Sequence, residues 1–246
     1  MATVLSGTSG ALYYKPAGTS STFTSSNVTV ADDEITVGTY LNFEVGDKVQ
    51  FTAGGGTLPA GISAATDYFV IAYTASTGVL QVSATSGGST ITITDSGTDG
   101  TSAFGVDYED FQSVGDVREW SFEITREEID VTTIGGTLGQ NAPFRSFITG
   151  FADGTGSCTV YTTDDDTTIA SRLIEDVIQR KQAGATFKLY TDLVLSSGTP
   201  NDTTSRSIEF SAVLTSASYG VNPDDAQTVE INFRPSAAPT FDFSKS

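Results

Sequence analysis

The chain has 246 residues and 30 Asp and Glu against 12 Lys and Arg, for a formal net charge of −18. So acidic a chain cannot hold nucleic acid by phosphate neutralisation, which needs clustered cations. With no histidine and one cysteine, Ser-His and Cys-His nucleophile pairs are excluded and a zinc site is implausible.

The length suffices for one large or two small domains with a real core. Low charge, with abundant Gly, Ser and Thr, predicts many short strands and turns rather than helices. The first stretch, MATVLSGTSGALYYK, lacks a basic segment followed by an apolar one. No apolar run approaches the roughly 20 residues of a membrane helix. The expectation is a soluble product made in a cytoplasm, with no membrane partner. A first strand is predicted around Ala11-Leu12-Tyr13-Tyr14.

From Ser20 to Val106 the texture changes. This stretch holds 8 of the 30 acidic residues and 1 of the 12 cations, Lys48. Strands are predicted at Val28–Val30, Lys48–Phe51, Asp67–Ile71, Val79–Val82 and Thr90–Thr94. The glycines Gly54-Gly55-Gly56, Gly78 and Gly87-Gly88 separate them. Alternation bounded by glycine turns is the pattern of a small antiparallel β-domain. The triple glycine lacks the Lys and helix of a phosphate loop and reads as a turn.

Trp120, Phe122 and Ile124 alternate with polar residues, as a half-buried strand does. A long connection from Arg126 to Gly150 follows. It is polar except for Ile129, Val131, Ile134, Leu138, Phe144 and Phe147. Long loops in compact domains are usually functional, and exposed apolar groups in a patch suggest an interface. The bland alternative is that the loop folds back over its own core. Cys158 alternates with Val160 and is expected to pack as a small hydrophobe in a reducing compartment.

Ile169, Leu173, Ile174, Val177 and Ile178 fall on one helical face. Thr167 or Thr168 can cap that helix, and Arg180 and Lys181 complement its dipole. The preceding Asp164-Asp165-Asp166 lacks the alternating spacing of a calcium loop and reads as capping and solvation. Asp32-Asp33-Glu34 and Asp224-Asp225 read as solvated turns, and no carboxylate pair stands out as a glycosidase site. Phe187, Leu189 and Leu193 alternate. So do Ile208 to Leu214, and then Val229, Ile231 and Phe233, with Asn222-Pro223-Asp224-Asp225 as a turn between them. The tail Pro235–Phe243 reads equally as an extended arm or a frayed end.

The run Arg126-Glu127-Glu128-Ile129-Asp130-Val131-Thr132-Thr133, then Phe144-Arg145, Ile148 and Gly150, resembles the core signature of phage tail tube proteins. The strand Ser157–Tyr161 fits that resemblance. Gly46-Asp47-Lys48-Val49, Leu58-Pro59-Ala60-Gly61-Ile62 and Asp67–Ile71 resemble a small β-module found in phage virion proteins. The first resemblance implies a mainly β fold: an antiparallel β-sandwich or barrel core with one amphipathic α-helix. Residues 1–19 and 107–246 would form that core. Residues 20–106 would be an inserted β-module, expected on the exterior. Two domains in tandem with an N-terminal arm is the alternative.

The function implied is structural and not enzymatic, with no cofactor. The subunit would polymerise as stacked, hexameric rings that form the conduit for DNA ejection. Glu128, Ile129, Asp130, Val131, Ile134, Leu138, Phe144, Arg145 and Phe147 would form the inter-subunit loop. The implied partners are further copies of the chain and other tail proteins (tape measure, tail terminator, baseplate or distal tail). DNA would pass through without tight binding. The implied location is the virion tail, after assembly in the host cytoplasm. Two rivals stand beside it: a virion decoration or adhesion protein that binds glycan or coat protein through the β-module, and an uncharacterised hydrolase.

Overall fold

Apolar residues at every second position have to share one side of a sheet, and in the computed structural model they close two separate cores. The structure describes residues 9–108, 111–115, 117–132, 145–161, 169–178, 184–220 and 226–243. Strands β1 (Ala11–Lys15), β2 (Ser20–Phe23), β3 (Val28–Thr29), β4 (Glu34–Thr36), β5 (Lys48–Thr52), β6 (Tyr68–Thr74), β7 (Val79–Ser83), β8 (Phe104–Tyr108) and β9 (Gln112–Ser113) come first. Then follow the long strands β10 (Val117–Asp130) and β11 (Phe147–Tyr161) and the helix α1 (Ile169–Ile178). The chain ends with β12 (Thr186–Asp192), β13 (Leu195–Ser196), β14 (Thr199–Pro200), β15 (Arg206–Gly220), β16 (Thr228–Pro235) and β17 (Thr240–Asp242).

The main sheet runs β10-β11-β16-β15-β12-β1-β9, with β17 also on β15. The second sheet runs β2-β8-β5-β6-β7-β4-β3. Every pairing in both is antiparallel. The fold is mainly β, with one α-helix among the described residues. The strands of the second sheet all fall between Ser20 and Tyr108. Ser20 pairs with Asp107, so this stretch enters and leaves on neighbouring strands.

The main core gathers Leu12, Tyr14, Cys158, Val160, Leu173, Phe187, Leu189, Phe210, Leu214, Ile231 and Phe233, all buried. Residues from β1 and from β16 share it, so the sheet is curved. At its centre Phe187 stacks on Phe233 with ring centroids 4.3 Å apart, and Phe122 stacks on Phe210 at 4.7 Å. The predicted hairpin forms from Ala212↔Pro235 to Gly220↔Thr228. Its predicted turn at Asn222–Asp225 lies outside the described residues. On the opposite face of β12, Lys188 donates to Asp202 at 2.7 Å, and Tyr190 donates to the same carboxylate at 2.7 Å.

Three expectations change. Thr90–Thr94 is not a strand; it makes a single bridge, Ser83↔Thr90. Ile93 is buried all the same, because its N–H takes the Asp33 carboxylate at 2.6 Å instead of a strand partner. Alternation records which side chains go inside, and an extended segment without a ladder satisfies it too. Ile178, predicted on the apolar helix face, is exposed, whereas Leu173 is buried and Ile174 and Val177 pack on the core. The tail is neither a free arm nor frayed at Thr240–Asp242, because it pairs with Ser207–Glu209 of its own chain. The predicted helix flanks Asp164–Thr168 and Arg180–Lys181 lie outside the described residues.

Two glycines are demanded by geometry. Gly54, at φ +58, turns under the Ser102 and Ala103 carbonyls, where a Cβ would collide. Gly156 lies opposite both Phe122 and Phe233, and a Cβ there would fall within the Phe233 ring. Phe233 cannot retreat, because Phe187 and Phe210 stack against it. Gly156→Ala is expected to cost about 1–3 kcal/mol, the usual range for overpacking. Urea unfolding of this variant beside Thr155→Ala, on the exposed face, checks it. Equal midpoints for the two would refute the role given to Gly156.

Candidate subunit interface

β11 is supported by β16 only from Gly156 to Tyr161. Its pairing with β10 continues well beyond that, to Asp130↔Phe147. The two strands therefore leave the sheet as a ribbon to which no further strand pairs among the described residues. This corrects the expected loop boundaries. Arg126–Asp130 and Phe147–Gly150 are strand, and the connection proper begins at Val131 and ends at Ser146. A two-stranded ribbon in water can carry charges on either face, so the acidic run Glu127-Glu128-Ile129-Asp130 does not stop the strand.

The register aligns Glu128 with Thr149, Ile129 with Ile148 and Asp130 with Phe147. An irregularity between Arg126 and Glu128 lays the Glu127 side chain over Gly150. At the tip, Val131 N–H donates to the Ser146 carbonyl at 2.8 Å. Ser146 N–H donates to Thr132 Oγ1, and Thr132 N–H to Asp130 Oδ1, each at 2.9 Å. The Thr132 hydrogen bonds hold the Asp130 carboxyl below the ordinary range. Arg145 stands 3.8 Å from Asp130, with its side chain 75% exposed.

Of the predicted interface residues, Glu128, Ile129, Asp130 and Phe147 are thus on the ribbon, and Val131 and Arg145 are at its tip. Ile134, Leu138 and Phe144 lie outside the described residues. Three further apolar residues on the ribbon are exposed: Ile124, Ile148 and, at 87% exposure, Phe151. The signal for Ile148 and Phe151 was the continued apolar content past Ser146, hidden by treating the stretch to Gly150 as a loop. Ile124, expected on the apolar face with Trp120 and Phe122, is exposed instead, because it lies past the part of the ribbon that meets the core. Where the ribbon leaves the sheet, Ile124 and Ala152–Gly154 face Pro235–Pro239 across a groove of about 330 Å³.

A second polar site went unread in the sequence. Arg172 and Asp176 lie one turn apart on α1 and are both buried. Arg172 donates to Asp47 through both terminal nitrogens, at 2.6 and 3.2 Å, and to the Asn42 carbonyl. Its Nε stands 3.5 Å from Glu44. Asp176 accepts from the Tyr14 hydroxyl, the Asn42 amide and the Ala17 N–H. Helix, first strand and the 42–47 loop of the second sheet are joined there. Burial pushes the Asp47, Asp176 and Glu44 carboxyls above their ordinary range, against the pull of Arg172. Burial also pulls the Arg172 guanidinium down, but Asp47 and Glu44 outweigh it and hold it above its usual value.

Among the described residues no group of three or more His, Cys, Asp or Glu could hold a metal ion. Burial pushes the Cys158 thiol up to about 12, which leaves it protonated and unreactive at neutral pH.

No protein-family model matches the chain, and no curated protein matches it. Several solved structures are similar to about half of it, three of them as follows. A chain of the virion of a native gene transfer agent particle is 16% identical over 54% of this chain and 88% of its own, with a TM-score of 0.40. A chain of the tail of an empty gene transfer agent particle, with C6 symmetry, is 17% identical over 55% and 87%, with a TM-score of 0.38. The SPP1 tail tube is 14% identical over 55% and 71%, with a TM-score of 0.38.

Removing Arg172 leaves Asp47 buried without its cation, and breaking a buried pair costs about 3–5 kcal/mol. Arg172→Leu is expected to lose that much at pH 8. The native carboxyls bind protons more readily than the unfolded chain, so their burial penalty eases as pH falls towards the ordinary range near ~4. The loss should therefore shrink at pH 5. Urea unfolding of both proteins at the two pH values checks this, and a loss independent of pH would show that charge burial is not the cause.

Proposed function

We propose that this chain is a tail tube subunit of a long-tailed phage. The observation that carries the reading is the β10–β11 ribbon. Among the described residues no strand pairs with either of its edges beyond Gly156, and it exposes Ile129, Ile148, Phe147 and Phe151. A two-stranded ribbon is marginal alone in water, and an uncovered edge invites another strand. A neighbouring copy would complete it. Of the residues that resemble the tail tube signature, Arg126–Thr132, Arg145, Ile148 and Gly150 lie on this same ribbon and its tip.

In this reading the subunits close into hexameric rings by joining their sheets, which removes the open edges. The rings stack head to tail, a heterologous contact that continues without limit. The tube is a conduit for genome ejection, and its acidic charge keeps the phosphate backbone from sticking. The tape measure, tail terminator and baseplate or distal tail proteins would meet its ends in the virion, after assembly in the host cytoplasm. The protein has no enzymatic role in this scheme. Residues 20–106 would be an inserted module on the exterior. A virion adhesion protein is the second reading, favoured by Tyr40 in the module. Tyr40 is exposed yet held at φ +54, and backbone strain at an exposed aromatic is a feature of binding loops.

Negative-stain microscopy of the purified chain separates the two: stacked rings or tubes for the first, compact particles for the second. Removing Thr133–Asn141 is expected to leave a folded monomer, and tubes formed by that variant would show that the connection is not the assembly element. A Gly-Ser linker in place of residues 20–106 tests the module separately. It should give thinner tubes with an unchanged axial repeat. Tubes that fail to form, or whose repeat changes, would make the module part of the wall.

A further inference from the structure

The ribbon tip and the groove where the ribbon leaves the sheet are complementary, and they cannot meet within one copy. The tip carries the Ile129–Ile148 pair with Val131 and Phe147. The groove is walled by Ile124 and Ala152 on one side and by Pro235 and Pro239 on the other. Gly154 forms its floor, where a Cβ would crowd the Pro235 ring. From Ile124 to Asp130 is six residues of extended chain, or about 20 Å at the strand rise. A stiff ribbon cannot bend its own tip back over that distance.

Charge supports the same match. Among the described residues each end bears a loose ion pair, Arg145 to Asp130 at the tip and Arg234 to Asp153 at the groove, both at 3.8 Å. That is too long for a hydrogen bond. These four side chains are 42% to 75% exposed. In a chain with so few cations, two arginines left loosely paired beside two apolar patches can exchange partners across a contact.

We propose that the ribbon tip of one copy seats in the groove of the next, with Arg145 turned to the neighbour's Asp153 and Asp130 to its Arg234. The proposal rests on the reading of the chain as a self-assembling subunit and names the acceptor surface. Tip and groove lie at different places on the molecule. The contact is therefore heterologous, and it propagates from copy to copy.

Charge exchange tests it. Arg145→Asp and Asp153→Arg each set like charges against each other. Each should raise the critical concentration for polymerisation by roughly tenfold or more, the factor that corresponds to 1.4 kcal/mol. The double variant re-forms the pair in reversed sense and should return close to the wild-type value. Ala152→Trp fills the groove without changing charge and should also suppress polymers. Near-UV circular dichroism of each variant confirms the fold. Wild-type polymers with single variants that assemble normally, or a double variant no better than the singles, would give the groove another occupant and overturn the proposal. A wild-type chain that stays monomeric at all concentrations would instead overturn the tube reading itself, and this contact with it.

Discussion

The β10–β11 ladder outruns the strand that supports it, and the rest of the molecule is arranged around that mismatch. β11 is 15 residues long, yet β16 covers only its last six. Over the covered part, Trp120, Phe122, Cys158 and Val160 belong to the core. Past the groove with Pro235–Pro239, no described residue forms a layer beneath the same two strands, and Ile129, Ile148 and Phe151 are exposed. Hydrogen bonds between the two strands hold the ribbon straight, but burial does not hold it down. An extension of this kind is tolerable to a protein that exists mainly in company.

The covered half was legible in the sequence and the uncovered half was not, for one physical reason. Trp120-Ser121-Phe122 and Ile208–Leu214 alternate because one side of each strand meets a core, and alternation is what a half-buried strand writes into a sequence. Where no core lies beneath, nothing selects alternation. Arg126–Asp130 is then strand by backbone pairing alone and looks like loop by composition. Thr90–Thr94 is the converse case, with alternating burial and no ladder. Leu173 and Val177 identified α1 by its apolar stripe. Arg172 and Asp176 on the adjacent stripe carry no such signal. The partner of Arg172, Asp47, is 125 positions away, and nothing local to the helix records it.

That buried cluster changes how the two sheets relate. Glycine turns and a cation-poor surface predict a self-contained module between Ser20 and Val106. Its strands do pair among themselves, and its own core holds Phe23, Phe51, Tyr68 and Phe104. Yet Asn42, Glu44 and Asp47 reach across to α1. A buried guanidinium needs its acceptors in place, since each misplaced one leaves a desolvated charge. The cluster therefore sets the orientation of one sheet against the other more strictly than an apolar contact of the same size could.

The buried position of Cys158 has a practical reach of its own. The chain carries a single thiol, and it lies in the main core, where burial keeps it protonated. A cysteine placed at any exposed position would thus be the one reactive thiol of the folded protein, with no need to disturb the native residue. Fluorophores, spin labels or electron-dense clusters could be attached one per subunit. In a periodic assembly each label would repeat with the lattice, and its radius and axial position would report which surface of the chain faces inward.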